Sequence, residues 1–256
     1  MLIDTHCHLY GEEYENKDVL KEIEEDKNLL CVITLSSDEE DAKKCLEISK
    51  KSGKVFFAVG FHPENVDNLK EDSLLKIEKL AQSPKCVAIG EVGLDYHYTQ
   101  DNKLAQKQLL EWHIDLAYRL KKPICLHCRE AAEDLYNLLK ENQNKLKYGF
   151  VVHCFSENKE WAKKFEDLGA YFGICGNFTF KNYDSSVAKF LPLDKIIVET
   201  DSPYLAPVPV RGIVNTPSNV KYTCAKLAEV LNKTEQEMER ITTANALRFF
   251  GIKIEP

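Results

Sequence analysis

Apolar runs of strand length recur along the chain at 2–6, 29–35, 55–59, 86–90, 123–127, 150–153, 170–174 and 196–199. Between them lie amphipathic stretches with helical spacing, at 17–27, 38–52, 72–82, 101–121, 129–141 and 157–168. A weaker one spans 184–190, and two more, at 217–231 and 234–249, finish the chain. In the second stretch Ala42, Cys45, Leu46 and Ser49 repeat at helical period, as do Leu109, Trp112, Leu116 and Leu120 in the fourth. The strand segments are continuous apolar runs rather than alternating ones, which is expected when both faces of a sheet are buried by crossover helices. Eight strand–helix units in roughly 250 residues are what a (β/α)8 barrel requires. No linker, low-complexity tract, charge block or repeat divides them, so residues 1–256 are expected to form one barrel domain with an extra C-terminal helix.

Composition narrows the setting. The chain is 44% hydrophobic and 29% charged, as in an ordinary globular protein, and no apolar run approaches the roughly 20 residues of a membrane span. Apolar strand follows at once on Met1, with no basic-then-apolar leader, so no secretory signal is expected. Nine cysteines, an odd number scattered through apolar runs, suit reduced and buried thiols. The cytoplasm is the expected location. The net charge of −7 argues against a broad basic face for gripping long duplex, so any action on nucleic acid would run through a local site and bound cations.

The chemistry-bearing residues collect where a barrel keeps its active site, at the C-terminal ends of the strands. The first strand runs into Asp4-Thr5-His6-Cys7-His8, where side-chain alternation points His6 and His8 the same way. The third strand ends in Gly60-Phe61-His62-Pro63, and the fourth runs into Gly90-Glu91-Val92-Gly93-Leu94-Asp95-Tyr96. The fifth ends in His127, the sixth in His153 and the eighth in Glu199-Thr200-Asp201. Six of the seven histidines (6, 8, 62, 97, 127 and 153) sit at or just after strand ends, and only His113 falls inside a helix, as a surface or packing residue. A metal site is the economical explanation. Its expected ligands are His6, His8, Glu91, His127, His153 and Asp201, an imidazole and carboxylate set that suits zinc, manganese or related divalent ions. Six ligands exceed the needs of one tetrahedral ion. Two ions sharing a carboxylate fit better, with Glu91 the natural bridge by its place in barrel order. Such pairs, about 3.5–4 Å apart, belong to hydrolytic chemistry. Asp4 shares the strand parity of His6 and is expected to orient a ligand histidine. Cys125-Leu126-His127-Cys128 contains a Cys-x-x-Cys, read as buried packing because it lacks the helix-N-terminal setting of a redox motif.

Taken together, these stretches, with Leu126-His127-Cys128-Arg129, Val152-His153-Cys154-Phe155-Ser156 and Glu199-Thr200-Asp201-Ser202-Pro203-Tyr204-Leu205, give a resemblance that runs through the whole chain. It resembles the TatD-type metal-dependent deoxyribonucleases of the amidohydrolase superfamily. The resemblance implies a (β/α)8 barrel, a centre of two divalent ions (zinc, manganese or magnesium) and 3′–5′ hydrolysis of DNA, with single-stranded DNA or 3′ ends as the partner. It further implies that His6, His8, Glu91 and Asp201 hold one ion and Glu91, His127 and His153 the other. Glu91 and Asp201 would be the catalytic carboxylates, with Asp201 orienting a water or taking its proton. His62, Tyr96, Arg129 and Arg211 are candidate substrate contacts, because the arginine fork suits phosphate oxygens. For His62 and Tyr96 the alternative is packing behind the site, and for Arg129 a surface ion pair.

Two positions depart from the family pattern. After the eighth strand the family usually reads Arg-Gly-Lys-Arg-Asn-x-Pro, whereas here Arg211-Gly212-Ile213-Val214-Asn215-Thr216-Pro217 places two apolar residues where two basic ones stand. That puts ordinary gripping of a DNA backbone in doubt. A Gly that usually follows the His153 motif is Glu157, a carboxylate that either repels phosphate or opens the next helix. A hydrolase of a small ester, amide or phosphoester on the same scaffold is therefore the alternative, and an inactive scaffold the last. Glu91, standing where other branches of the superfamily place a carboxylated lysine, favours the nuclease branch.

Overall fold

The computed structural model describes residues 1–15 and 17–253. Its eight strands are β1 (Leu2–Cys7), β2 (Leu29–Leu35), β3 (Val55–Val59), β4 (Cys86–Asp95), β5 (Ile124–Arg129), β6 (Phe150–Val152), β7 (Tyr171–Ile174) and β8 (Ile196–Val198). All neighbours pair in parallel, and the sheet order follows the sequence from β1 to β8. The crossovers carry α1 (Val19–Glu25), α2 (Glu39–Lys51), α3 (Ser73–Ala81), α4 (Lys103–Leu120), α5 (Ala132–Glu141) and α6 (Lys159–Asp167). Two further helices, α7 (Val220–Val230) and α8 (Glu235–Phe250), follow β8. This is the expected (β/α)8 barrel.

The barrel closes beyond the formal ends of its first and last strands. The His8 N–H donates to the Ser202 carbonyl at 2.7 Å, and the Asp201 N–H to the His6 carbonyl at 2.9 Å. Inside the barrel Ile3, Ile33, Ala58, Ala88, Cys125, Val151 and Ile197 form one cluster, which Ala246, Phe249 and Phe250 of α8 join from the N-terminal face. Residues of opposite parity, such as Val32, Phe57, Ile124, Val152 and Phe172, pack outward against the helices. Helix α8 is set by a Thr234–Glu237 capping box and ended by Gly251 at φ 64°. Its aromatic end plugs one mouth of the barrel and leaves the other for the loops.

Two expectations about elements change. The segment at 184–190 is a 3₁₀ helix, Ser185–Phe190, too short before Pro192 to gather the hydrogen bonds of an α-helix. The fourth strand does not stop at Gly90 but continues to Asp95, with Gly93 paired to His127 and Asp95 to Arg129. Gly93 lets β4 pass close to β5. A Cβ there would lie 2.8 Å from the His127 backbone nitrogen and closer still to its carbonyl oxygen, and its φ is +150°.

Candidate metal centre

Bulges aim two of the site residues. Between Asp4↔Val32 and Cys7↔Thr34, β1 advances three residues while β2 advances two. Between Ile89↔Ile124 and Val92↔Leu126, β4 gains one residue on β5 in the same way. An extra residue inverts the parity of everything that follows. Ile3 and Ala88 face the barrel interior, and so do His6 and Glu91, each three residues further on. Asp4, which was expected to share the parity of His6, lies on the other side of the bulge. Its carboxylate accepts from the Thr200 N–H at 2.8 Å, the Thr200 hydroxyl at 2.6 Å and the His6 backbone N–H at 3.4 Å. Asp4 therefore ties β1 to the end of β8, and these bonds engage no imidazole ring.

The six expected ligands converge on Glu91, which is 4% exposed on the floor of the open mouth. Its two oxygens face different partners. Oε2 lies 3.2 Å from His6 Nε2 and 3.6 Å from His8 Nε2. Oε1 lies 2.9 Å from His127 Nδ1 and 3.3 Å from His153 Nε2. On the first side Asp201 Oδ1 approaches His8 Nε2 at 3.4 Å and His6 Nε2 at 3.8 Å. Asp201 follows β8 with φ 56°, a left-handed backbone that Asp tolerates better than most residues. The carboxylate of Glu91 thus stands between two groups of nitrogen donors, as a bridging ligand would.

The donor set fits divalent cations. Ligand atoms of His6, His8 and Glu91 lie within 4.8 Å of one another, as do those of His6, His153 and Asp201, and those of His62, Glu91 and His127. Imidazole nitrogens and carboxylate oxygens at such spacing suit zinc, manganese or similar ions. The electrostatics agree. Burial by itself would raise the Glu91 carboxyl, but the surrounding His153, His6, His62 and His127 hold it well below the usual carboxylate range. Asp201 is likewise lowered against burial, by its contact with His8 and by His153 and His6. Burial opposes charge on His127 as well, yet Asp95 and Glu91 push it up to about 9. The pocket keeps its carboxylates ionised and concentrates negative charge where positive charge is wanted.

Residues outside the expected set hold these rings in place. His127 Nε2 lies 2.8 Å from Asp95 Oδ2, and His153 Nδ1 lies 3.0 Å from Glu199 Oε1. His8 Nδ1 faces the Leu35 carbonyl at 3.1 Å and the Tyr10 hydroxyl at 3.0 Å. The remaining nitrogen of each of these rings is thereby committed, which fixes the tautomer and turns the other toward the centre. Asp95 and Glu199 were legible as acids at the ligand-bearing strand ends. The orienting role expected of Asp4 falls to them instead.

The four candidate substrate contacts separate. His62 caps the 3₁₀ turn Pro63–Asn68, and its Nε2 lies 3.6 Å from Glu91 Oε1, so it joins the centre. Tyr96 is 4% exposed and donates its hydroxyl to Asp134 of α5 at 2.8 Å. That is the packing role held as its alternative. Arg129 and Arg211 are exposed on the rim, and each rests on an aromatic ring. The Arg129 guanidinium lies 5.0 Å from the Tyr98 centroid and that of Arg211 lies 4.0 Å from Phe180. His97, the sixth strand-end histidine, pairs with Glu130 at 2.6 Å outside the ligand cluster. All nine thiols are free, and Cys125 of the Cys-x-x-Cys is buried.

Comparison with known proteins places this arrangement. Residues 3–251 match the family described as TatD related DNase. A metal-dependent hydrolase, YabD of Bacillus subtilis (strain 168), is 36% identical over 98% of this chain and 100% of its own. YcfH of Escherichia coli (strain K12), also a metal-dependent hydrolase, is 35% identical over 98% of this chain and 96% of its own. Among solved structures, the TatD homologue YJJV from Escherichia coli K12 superposes with a TM-score of 0.90 at 26% identity, covering 98% of both chains. With family and fold agreeing from one end to the other, the chain belongs to the TatD family and is a metal-dependent hydrolase.

Proposed function

We propose that the protein hydrolyses phosphodiester bonds of DNA, acting as a 3′–5′ exonuclease on single-stranded ends with two divalent ions at the centre. The observation that carries the two-ion reading is the division of Glu91, with Oε2 toward His6 and His8 and Oε1 toward His127 and His153. Bound there, zinc, manganese or magnesium would supply Lewis acidity and a water of lowered pKa. The chain's own residues do the rest. His6, His8, Asp201 and Glu91 hold one position, and Glu91, His127 and His153 the other. Asp201, lowered and at the open side of the cluster, orients the attacking water and accepts its proton. His62, beside Glu91, stands within reach of a phosphate oxygen or the leaving group. Arg129 and Arg211, the exposed rim arginines, would meet neighbouring phosphates. Among the described residues no helix is long and apolar enough to cross a membrane, and nine free thiols suit work in the reducing cytoplasm.

The loop after β8 favours one second reading, a small ester, amide or phosphoester as substrate. Ile213 and Val214 are exposed there, at 58% and 39%, and offer a phosphate backbone no charge. The deciding experiment is hydrolysis of a 3′-labelled and a 5′-labelled single-stranded oligonucleotide by protein loaded with zinc, manganese or magnesium, with and without chelator. A chelator-sensitive ladder shortening from the 3′ end is expected. Absence of cleavage with all three metals would reject the nuclease in favour of the small-substrate hydrolase.

A further inference from the structure

Beside the metal centre, between the loops that follow β3 and β4, lies a cavity of about 280 Å³ lined by Glu64, Asp67, Asp95, Tyr98, Thr99 and Asn102. That is close to the lower end of ordinary small-ligand pockets, roughly 300 Å³. Asp95 belongs to both sites, since it lines the cavity and lies 2.8 Å from His127 Nε2. A ligand in this cavity is therefore one residue removed from a group bound at the centre.

Hydrogen bonds cross-link one side of the wall, and its polarity is one-sided. Gln106 accepts from the Asp95 N–H at 2.8 Å and donates to the Asp95 carbonyl and to Asn102 Oδ1, each at 2.8 Å. Asn102 donates in turn to Asp67 Oδ2 at 2.9 Å. These bonds consume both amide donors of Gln106 and one of Asn102. What the wall retains is mainly acceptor capacity, chiefly the Glu64 carboxylate and the second oxygen of Asp67. Among the described residues no lysine or arginine lines the cavity, so it does not suit a phosphate. Its aromatic surface is Tyr98, 67% exposed and held by Arg129, whose Nη1 donates to the Tyr98 hydroxyl at 3.2 Å.

We infer that this cavity is a base-recognition subsite: it takes the nucleobase next to the scissile phosphate, stacked on Tyr98, and selects bases that carry an exocyclic amino group. Adenine, cytosine and guanine each present an exocyclic NH₂ donor, whereas thymine has none and offers a single N3–H flanked by two carbonyl acceptors. Two carboxylates therefore favour the amino-bearing bases over thymine, whose flanking carbonyls oppose them. Stacking on an aromatic ring supplies affinity that every base shares. Arg129, over the same ring, would meet the adjoining phosphate. This inference rests on the nucleic-acid reading of the centre.

The test pairs a binding measurement with a hydrolysis measurement on metal-loaded protein. Calorimetric binding of dAMP, dCMP and dTMP is compared with rates on oligo-dA, oligo-dC and oligo-dT, homopolymers that make the result independent of polarity. The amino-bearing nucleotides are expected to bind and react roughly tenfold better than the thymine ones. Glu64→Gln should level that preference, because an amide can also turn its NH₂ toward a thymine carbonyl. Tyr98→Ala should weaken all three mononucleotides by roughly tenfold while leaving the ranking in place. Both side chains are at least partly exposed, so both variants should fold, as circular dichroism would check. Hydrolysis with no base preference and equal binding of dCMP and dTMP would overturn the subsite and leave the nuclease standing. Selective binding without hydrolysis would do the reverse, and neither binding nor hydrolysis would remove both.

Discussion

At the scale of single residues, Glu91 and Asp201 carry the clearest consequence. Each is ionised within a ring of imidazoles, and each stands where a divalent ion would be shared or flanked. Replacing Glu91 or Asp201 with Ala is expected to lower hydrolysis by on the order of 10³-fold or more, because the charge that organises the reacting groups is lost. Circular dichroism should be unchanged, and metal analysis should find fewer ions bound to the Glu91→Ala protein. Wild-type rates in either purified variant would sink the assignment. His113 gives a second consequence, remote from the site. It is fully buried in α4, with Nδ1 on the Leu109 carbonyl at 2.8 Å, and burial pushes it down to about 4. This folded value lies below the ordinary one, so between pH 6.5 and 4 the unfolded chain takes up a proton that the native protein refuses. Stability from this group is complete above pH 6.5 and falls as the pH is lowered, by about 1.4 kcal/mol per unit. A His113→Phe protein should lose that part of the acid limb in urea titrations. Superimposable profiles from the two proteins would refute it.

Among the elements, the strands do more than supply a wall. Bulges in β1 and β4 turn His6 and Glu91 inward, and the close passage of β4 along β5 at Gly93 sets His127 beside Asp95 and Glu91. A side chain at position 93 would collide with backbone rather than with a flexible neighbour, since its Cβ would lie 2.8 Å from the His127 nitrogen and 2.9 Å from its carbonyl carbon. Gly93→Ala is therefore expected to cost about 2–4 kcal/mol in denaturant unfolding. It should also weaken metal binding, because the strand that carries His127 must shift. Native stability and native metal content in the Gly93→Ala protein would show that β4 and β5 can separate there freely. Helix α8 works at the opposite mouth, where Phe249 and Phe250 complete the interior.

For the molecule as a whole, charge decides how a long anionic substrate is met. The protein carries −7 overall, and its loop after β8 exposes Ile213 and Val214 at the two positions where the sequence resemblance leads one to expect Lys and Arg. Restoring the pair, Ile213→Lys with Val214→Arg, should tighten binding of single-stranded DNA and steepen its salt dependence by about 1.4 in the log–log slope. Equal affinities across several salt concentrations would show that this loop takes no part. The barrel itself was already specified by the linear pattern, because eight continuous apolar runs separated by helical patterns admit few other arrangements of a parallel sheet. So was the six-residue set at the strand ends, since imidazoles and carboxylates gathered there have few other uses. How those residues meet was settled by the folded molecule alone. A bulge adds one residue without any change of hydrophobic pattern, so the parity that would have grouped Asp4 with His6 gave no warning of the inversion. Tyr96 and His62 look equally eligible along the chain, and it is packing that commits one to Asp134 and brings the other to Glu91. Asp95 and Glu199 acquire their partners across strands, through contacts whose separation in sequence carries no periodic signal. Local pattern encodes which faces are buried, while the pairing of polar groups inside a barrel is fixed only when all eight strands have closed.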